Sequence, residues 1–459
     1  MSFIEKQRIE RLLETTPPAA GAVLENILSK AVSLGGLNTE ETAALIKTSD
    51  PEEIKKIYAA AGCIKEAIYG RRLVVFAPLY VSNICSNNCL YCGFRRDNKK
   101  IKRRALTIDE VKREVRMILS QGHKRILMLM GDSPGGCSFD YFLDCIDAAY
   151  SVRDDKGSGI RRINVEVPPL NSGELKRLSD ANIGTYTVFQ ETYHPEVYAR
   201  MHPAPGTKSD YLKRLYAMDE ALTAGLNDVG IGALFGLNDY RFEVLGLLEH
   251  AAHLKRKFGV GPHTISVPRV EPASGAPMSI DLPSRVSDGD FMKIVAVLRC
   301  AVPYTGIILS TRETPGLRDR LFSLGVSQIS AGSKAAPGGY SDKEEGQFSL
   351  NDTRSSGEVI AKVIKEGHIP SFCTGCYRRG RVGADFMELA EPGLIKEHCH
   401  PNALLTLMEY LLDYADKDTL EEGRQLIAKE LSTINSAALR EKTEGFLKQI
   451  ENGKRDIYF

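Results

Sequence analysis

The chain of 459 residues predicts an α/β fold: a (β/α)8 TIM-type barrel, preceded by a helical N-terminal extension and followed by a mainly helical C-terminal domain. Three observations carry that expectation. Short apolar runs alternate with helical patterns eight times between residues 72 and 331, the first 70 residues are Ala-rich with a polar helical period, and the alternation stops near residue 340. Eight β/α repeats within about 270 residues fit a closed barrel better than an open doubly wound sheet.

Taken in order, residues 1–70 contain two capped helix starts, one at Thr39 and one at Asp50 followed by Pro51, as expected of a helical extension. Strands are expected at 72–80, 124–131, 161–168, 184–189, 227–233, 262–267, 305–310 and 326–331, giving a barrel over 71–340. A Gly/Ser/Asp-rich link at 337–346 leads into a last unit over 341–459. Barrels of this kind carry their chemistry at the C-terminal ends of the strands. That rule selects the loop after strand one, Asp132 and Ser133 after strand two, Gln190 and Glu191 after strand four, His263 in strand six, Ser310, Arg312 and Glu313 after strand seven, and Ser330 and Ser333 after strand eight.

Composition narrows the class. With 43% hydrophobic and 26% charged residues and a formal net charge of +1, the chain can bury a large core and has no global bias toward nucleic acid. No run of about 18 apolar residues exists to cross a membrane, and the N-terminus lacks a signal-peptide stretch, so a cytoplasmic protein is expected. The basic run from Arg95 to Arg104 lacks interleaved aromatics, which argues against RNA and for a solvated face able to meet an acidic partner. Ten cysteines do not make a secreted disulfide framework, because six of them fall into two groups. Cys63, Cys137, Cys145 and Cys300 stand apart and read as small buried apolar residues.

The first group, Cys85, Cys89 and Cys92, has the spacing C-x3-C-x2-C directly after the first strand, with Tyr91 before the third cysteine. Three thiolates can hold three irons of a [4Fe-4S] cube and leave the fourth open to a small molecule, whereas structural zinc takes four ligands. The second group, Cys373, Cys376 and Cys399, has the spacing C-x2-C-x22-C and again offers three thiolates. His398 and His400 flank its last member, so a Cys3His zinc site is an alternative here, set against an Arg- and Gly-rich surrounding loop suited to an anionic cluster.

The first triplet is the motif of the radical S-adenosylmethionine (SAM) superfamily, which the chain resembles. Both triplets, with the segments 189–194, 234–237, 260–269, 308–313 and 338–340, make it similar to the HydG family, the tyrosine lyases of [FeFe]-hydrogenase maturation, over about Glu25 to Asp416. The related ThiH family of 2-iminoacetate synthases shares the barrel and the tyrosine cleavage. The resemblance implies a radical SAM barrel with a C-terminal cluster-binding domain. SAM would bind the open iron of the first cluster, be cleaved by one electron, and yield a radical that opens the Cα–Cβ bond of L-tyrosine to p-cresol and dehydroglycine. The latter would become carbon monoxide and cyanide at an auxiliary iron–sulfur cluster carrying an extra labile iron and free cysteine, for H-cluster assembly.

By the same resemblance Cys85, Cys89 and Cys92 hold the SAM cluster, Cys373, Cys376 and Cys399 the auxiliary cluster, and His263 faces the labile iron. Asp132, Gln190 and Glu191 would contact SAM. Ser310 and Arg312 would grip a carboxylate, which a guanidinium does in bidentate fashion. Expected partners are a flavodoxin or ferredoxin as electron donor and other hydrogenase maturation proteins. The chain departs from the family pattern at 128–134, where Asp132 stands for a glutamate, at 165–169, where Glu166 enters, and at 203–207. These keep open a long-form 2-iminoacetate synthase or a paralogue acting on another amino acid. A zinc-stapled scaffold protein is the reading outside catalysis.

Overall fold

The computed structural model describes residues 2–133, 136–342 and 345–459. Pro134, at the end of one departure from the family pattern, and Lys343 and Glu344 of the link lie outside the described residues. Four helices, Lys6–Thr15, Gly21–Val32, Thr39–Lys47 and Pro51–Tyr69, open the chain. The third is capped by Asn38, whose side chain accepts from the Glu41 amide at 2.8 Å while the Glu41 carboxylate accepts from the Asn38 amide at 2.9 Å. Asp50 accepts from the amides of Glu52 and Glu53, and Pro51 supplies the preset first turn of the fourth. That helix buries Ile57, Ala61, Ile64 and Ile68 and packs on the helix Asp288–Ala301. Cys63 lies on its opposite face and is exposed, a correction to the expectation that it is buried; the helical period, not residue type, decides.

Eight parallel strands follow: β1 Arg72–Ser82, β2 Arg125–Met130, β3 Arg162–Glu166, β4 Tyr186–Thr187, β5 Val229–Gly232, β6 Thr264–Ser266, β7 Gly306–Leu309 and β8 Gln328–Ser330. Each pairs with the next, and β1 pairs with both β2 and β8, so the sheet closes into a (β/α)8 barrel. Helices between the strands cover the outer faces, which carry residues such as Ile163 and Val165 of β3. Period-two alternation turns Asn164 and Glu166 of the same strand into the lumen. In β5 the inward positions are Gly230 and Gly232; a Cβ there would come within 2.6 Å of the Thr187 and Thr264 hydroxyls and 2.7 Å of the Phe189 ring.

A ninth strand, β9 Ile369–Ser371, was not expected. It pairs with the first three residues of β1, where Val74 meets Gln328 on one side and Ser371 on the other. The C-terminal segment is therefore stitched to the N-terminal end of the barrel. The helix Lys396–Asp413 packs on β9, and helices Lys417–Ser432 and Ala437–Glu451 pack on it in turn. Among the described residues no helix is long and apolar enough to cross a membrane.

Candidate active site

Cys85, Cys89 and Cys92 lie in the loop after β1, at the C-terminal ends of the strands, and line a cavity of about 130 Å³. The loop is held by backbone bonds from Ser86 to the Asp132 carbonyl (2.7 Å), Leu90 to Met201 (3.1 Å) and Gly93 to Gln347 (3.0 Å). The Arg103 guanidinium donates to the carbonyls of Asn83 and Phe94, at 2.8 and 2.7 Å, so the basic run also braces this loop. Gly131 permits the close approach, since a Cβ there would stand 2.3 Å from the Ile84 carbonyl oxygen. Burial pushes the Cys89 thiol up to about 12 and raises that of Cys92 as well. Thiolates in so desolvated a place need directly bonded cations, which the iron ions of an iron–sulfur cluster supply.

Around this cavity the charges are paired. Glu191, at a left-handed φ of 69°, accepts from Lys208 and lies 3.6 Å from Arg214. Burial opposes its ionisation, but Lys208 and Arg214 outweigh burial and hold its pKa below the usual range. Asp132 accepts from the Asn87 amide at 2.6 Å and from the Thr207 hydroxyl. Segments 128–134 and 203–207 thus touch each other, and Glu166 borders the same cavity. Gln190 does not line it: its side chain is 2% exposed and both amide atoms are buried without a partner. The one-residue alternation that brings Glu191 in turns Gln190 away.

A second cavity of about 100 Å³ continues down the barrel axis, sharing Tyr80, Glu166, Phe189, Arg312 and Phe348 with the first and reaching Ser310, Thr264 and Gln328. The Arg312 guanidinium stacks 3.4 Å over the Phe348 ring, and its backbone amide donates to the Ser310 hydroxyl at 3.3 Å. Gln328 also borders a third cavity of about 40 Å³ at the N-terminal ends of the strands. Cys373, Cys376, Cys399 and His263 all line this third cavity.

The placement of His263 is a correction. It precedes β6 and sits at the opposite end of the barrel from the first triplet, because its amide donates to Val229, the first residue of β5, at 2.8 Å. Its Nδ1 is 3.4 Å from Asp228, its ring packs 4.5 Å from that of Phe386, and burial lowers its pKa, so the imidazole is neutral. Neither His398 nor His400 lines the cavity; His400 Nε2 instead faces the Glu430 carbonyl at 3.1 Å. With neither flanking histidine in the cavity, the fourth ligand of a Cys3His zinc site is not supplied by His398 or His400. The Nε atoms of Arg72, Arg125 and Arg381 and the amide nitrogen of Asn402 are buried there without partners. A ring of unsatisfied donors around three thiols fits an anionic cluster.

Sequence reasoning missed Glu166, Lys208, Arg214 and Gln347 as lining residues above, and Arg72 and Arg125 below, whereas Arg381 belongs to the Arg- and Gly-rich loop it singled out. Lone charged residues carry no local signal; the strained φ of Glu191 becomes visible only in the folded backbone.

Residues 79–250 match the family model of the radical SAM superfamily, and 266–369 that of the Biotin and Thiamin Synthesis associated domain. The 2-iminoacetate synthase of Escherichia coli (strain K12) is 31% identical over 75% of this chain and 89% of its own length. A crystal structure of HydG, a maturase of the [FeFe]-hydrogenase, superposes with a TM-score of 0.97 at 47% identity over 100% of both chains. That of HydG from Carboxydothermus hydrogenoformans gives 0.83 at 40% identity over 96% of this chain and 97% of that one.

Proposed function

Because this chain belongs to the radical SAM family that includes the HydG maturases and the 2-iminoacetate synthases, we propose that it is the tyrosine lyase of [FeFe]-hydrogenase maturation. It is a radical SAM enzyme, and the family carries a [4Fe-4S] cluster with SAM. The finer reading is cleavage of L-tyrosine to p-cresol and dehydroglycine, the latter becoming carbon monoxide and cyanide for the H-cluster. The observation that carries it is a pair of cysteine triplets at opposite mouths of one barrel, joined by successive cavities that meet at Gln328. The HydG likeness also spans the whole chain, including the second triplet, whereas the 2-iminoacetate synthase match covers 75% of it.

In this reading Cys85, Cys89 and Cys92 hold a cluster that supplies, when bound, the electron for cleaving SAM. Glu191, Asp132, Lys208 and Arg214 hold the polar groups of SAM, for which all four are positioned by partners within the protein. Arg312, with Ser310 steadying its backbone, grips the substrate carboxylate. Tyr80, Phe189 and Phe348 wall the space between and exclude water from an aromatic side chain. Cys373, Cys376 and Cys399 hold the auxiliary cluster inside the arginine ring, and neutral His263 is free to ligate an additional ferrous iron, with free cysteine as a further component. A small fragment released above can pass down the lumen without meeting solvent. Exposed Arg96, Lys99, Lys100 and Lys102, next to the first cysteine loop, form the docking face for an acidic flavodoxin or ferredoxin. Other hydrogenase maturation proteins would receive the product.

The test is product analysis after anaerobic reconstitution, with SAM, dithionite and L-tyrosine. The reading expects p-cresol, carbon monoxide and cyanide together. Formation of p-cresol and glyoxylate without the diatomics would make the chain a 2-iminoacetate synthase instead, and deoxyadenosine without p-cresol would remove tyrosine as substrate.

A further inference from the structure

Glu166 is the carboxylate in the upper site with no partner. It ends β3, and the strand's alternation sends it into the lumen together with Asn164, while Ile163 and Val165 face outward. Its side chain borders both upper cavities, as does that of Arg312. The other two carboxylates of the first cavity are already committed, Glu191 to Lys208 and Arg214, and Asp132 to Asn87 and Thr207. Among the described residues the Glu166 carboxylate makes no direct hydrogen bond or ion pair, and Arg214, Lys208 and Arg312 act on it only through their charge. Glu166 is half-buried, and a carboxylate that faces such a cavity without a direct partner gains one when a cationic ligand arrives.

We propose that Glu166 binds the α-ammonium group of the amino-acid substrate and takes a proton from it, at the opposite pole of the site from the carboxylate held by Arg312. This deepens the function proposed above and rests on it for the presence of an amino-acid substrate. Two charges of opposite sign across a space walled by Tyr80, Phe189 and Phe348 match a zwitterion with an aromatic side chain. In the transfer one N–H bond of the ammonium breaks and one O–H bond forms on Glu166, leaving a neutral amine and a neutral carboxylic acid with no change of oxidation state. The neutral amine would then offer an N–H to the hydrogen abstraction that the bound cofactor would supply.

The surroundings suit a proton acceptor. Burial, followed by the charge of Glu191, raises the pKa of Glu166 to about 7, against the pull of Arg214, Lys208 and Arg312. The other titratable groups on these walls are Tyr80 in both cavities, Lys334 in the second, and Asp132, Tyr91 and the three cysteines in the first.

The experiment measures binding of L-tyrosine, the other common α-amino acids and 3-(4-hydroxyphenyl)propionate, the desamino analogue of tyrosine, to SAM-loaded holoenzyme. It compares wild type with Glu166→Gln and Glu166→Asp at matched iron content, and adds the pH profile of p-cresol formation. We expect Glu166→Gln to weaken tyrosine binding at least tenfold, to leave the desamino analogue unchanged, and to shift the rate profile toward alkaline pH, where free amine exists in solution. Glu166→Asp should restore part of the affinity. Equal loss for tyrosine and its desamino analogue, unchanged tyrosine affinity, weakened SAM binding in its place, or failure of every amino acid to bind wild type would overturn the proposal. Binding of a different amino acid in a Glu166-dependent way would uphold it while removing tyrosine from the function proposed above.

Discussion

At the scale of single residues, small and neutral side chains open the interior and charged ones tune it. Gly230 and Gly232 leave the space that Thr187, Thr264 and Phe189 occupy, and without them the second cavity would close. Behind the wall, His250 is buried against the Tyr193 hydroxyl, 2.9 Å from its Nδ1. Burial pushes its pKa from 6.5 down to about 3. A group whose folded pKa lies below its unfolded value contributes stability above the unfolded pKa and loses it as pH falls from 6.5 toward 3. Near pH 4.5 the loss is about 3 kcal/mol, from about 1.4 kcal/mol per pKa unit. Urea unfolding at pH 7.5 and 4.5 should therefore show a stability drop that is smaller in His250→Phe by about 3 kcal/mol; an equal drop in both proteins would contradict the assignment. Among site residues, the cysteines were legible in the sequence because their spacing is local. Glu166, Lys208 and Arg214 were not, since Glu166 of β3 meets the other two, which follow β4, only after separate β/α segments have closed around one axis.

At the scale of elements, three adjacent strands begin with arginine: Arg72 of β1, Arg125 of β2 and Arg162 of β3. All three are buried, at 8%, 6% and 7% exposure. Arg125 donates to the Cys373 carbonyl at 2.9 Å, Arg162 stacks 4.0 Å over Tyr377, and Arg72 and Arg125 line the third cavity. Strand starts thus supply a cationic floor beneath the second triplet, while β9 fixes the triplet's position against β1. Replacing Arg72 and Arg125 with leucine should strip the auxiliary cluster, lowering iron from about eight to about four per chain while deoxyadenosine formation persists. Unchanged iron content would show that the arginines do not hold that site. The eight barrel strands were legible as apolar runs, although β4 is only Tyr186–Thr187 where six residues were expected at 184–189. β9 was illegible: Ile369, Pro370 and Ser371 form too short a run, with a proline at its centre, and its pairing partner lies about three hundred residues earlier.

At the scale of the whole molecule, a closed barrel places two thiol triplets at its two mouths, and a line of cavities runs between them through Gln328. The barrel itself was legible from eight repeats. That the second triplet faces the opposite mouth was not, because the rule that places chemistry at the C-terminal ends of strands says nothing about a segment added after the barrel. His263 was misplaced for the same reason, as a residue read from its strand rather than from the end of the strand it occupies. A radical step at one mouth and a small-fragment step at the other, in one chain, is the central claim. The most direct measurement of it is the product ratio of a Cys376→Ser/Cys399→Ser variant that retains its first cluster. The account predicts p-cresol at near wild-type rate with carbon monoxide and cyanide lost; p-cresol accompanied by undiminished diatomics would contradict it.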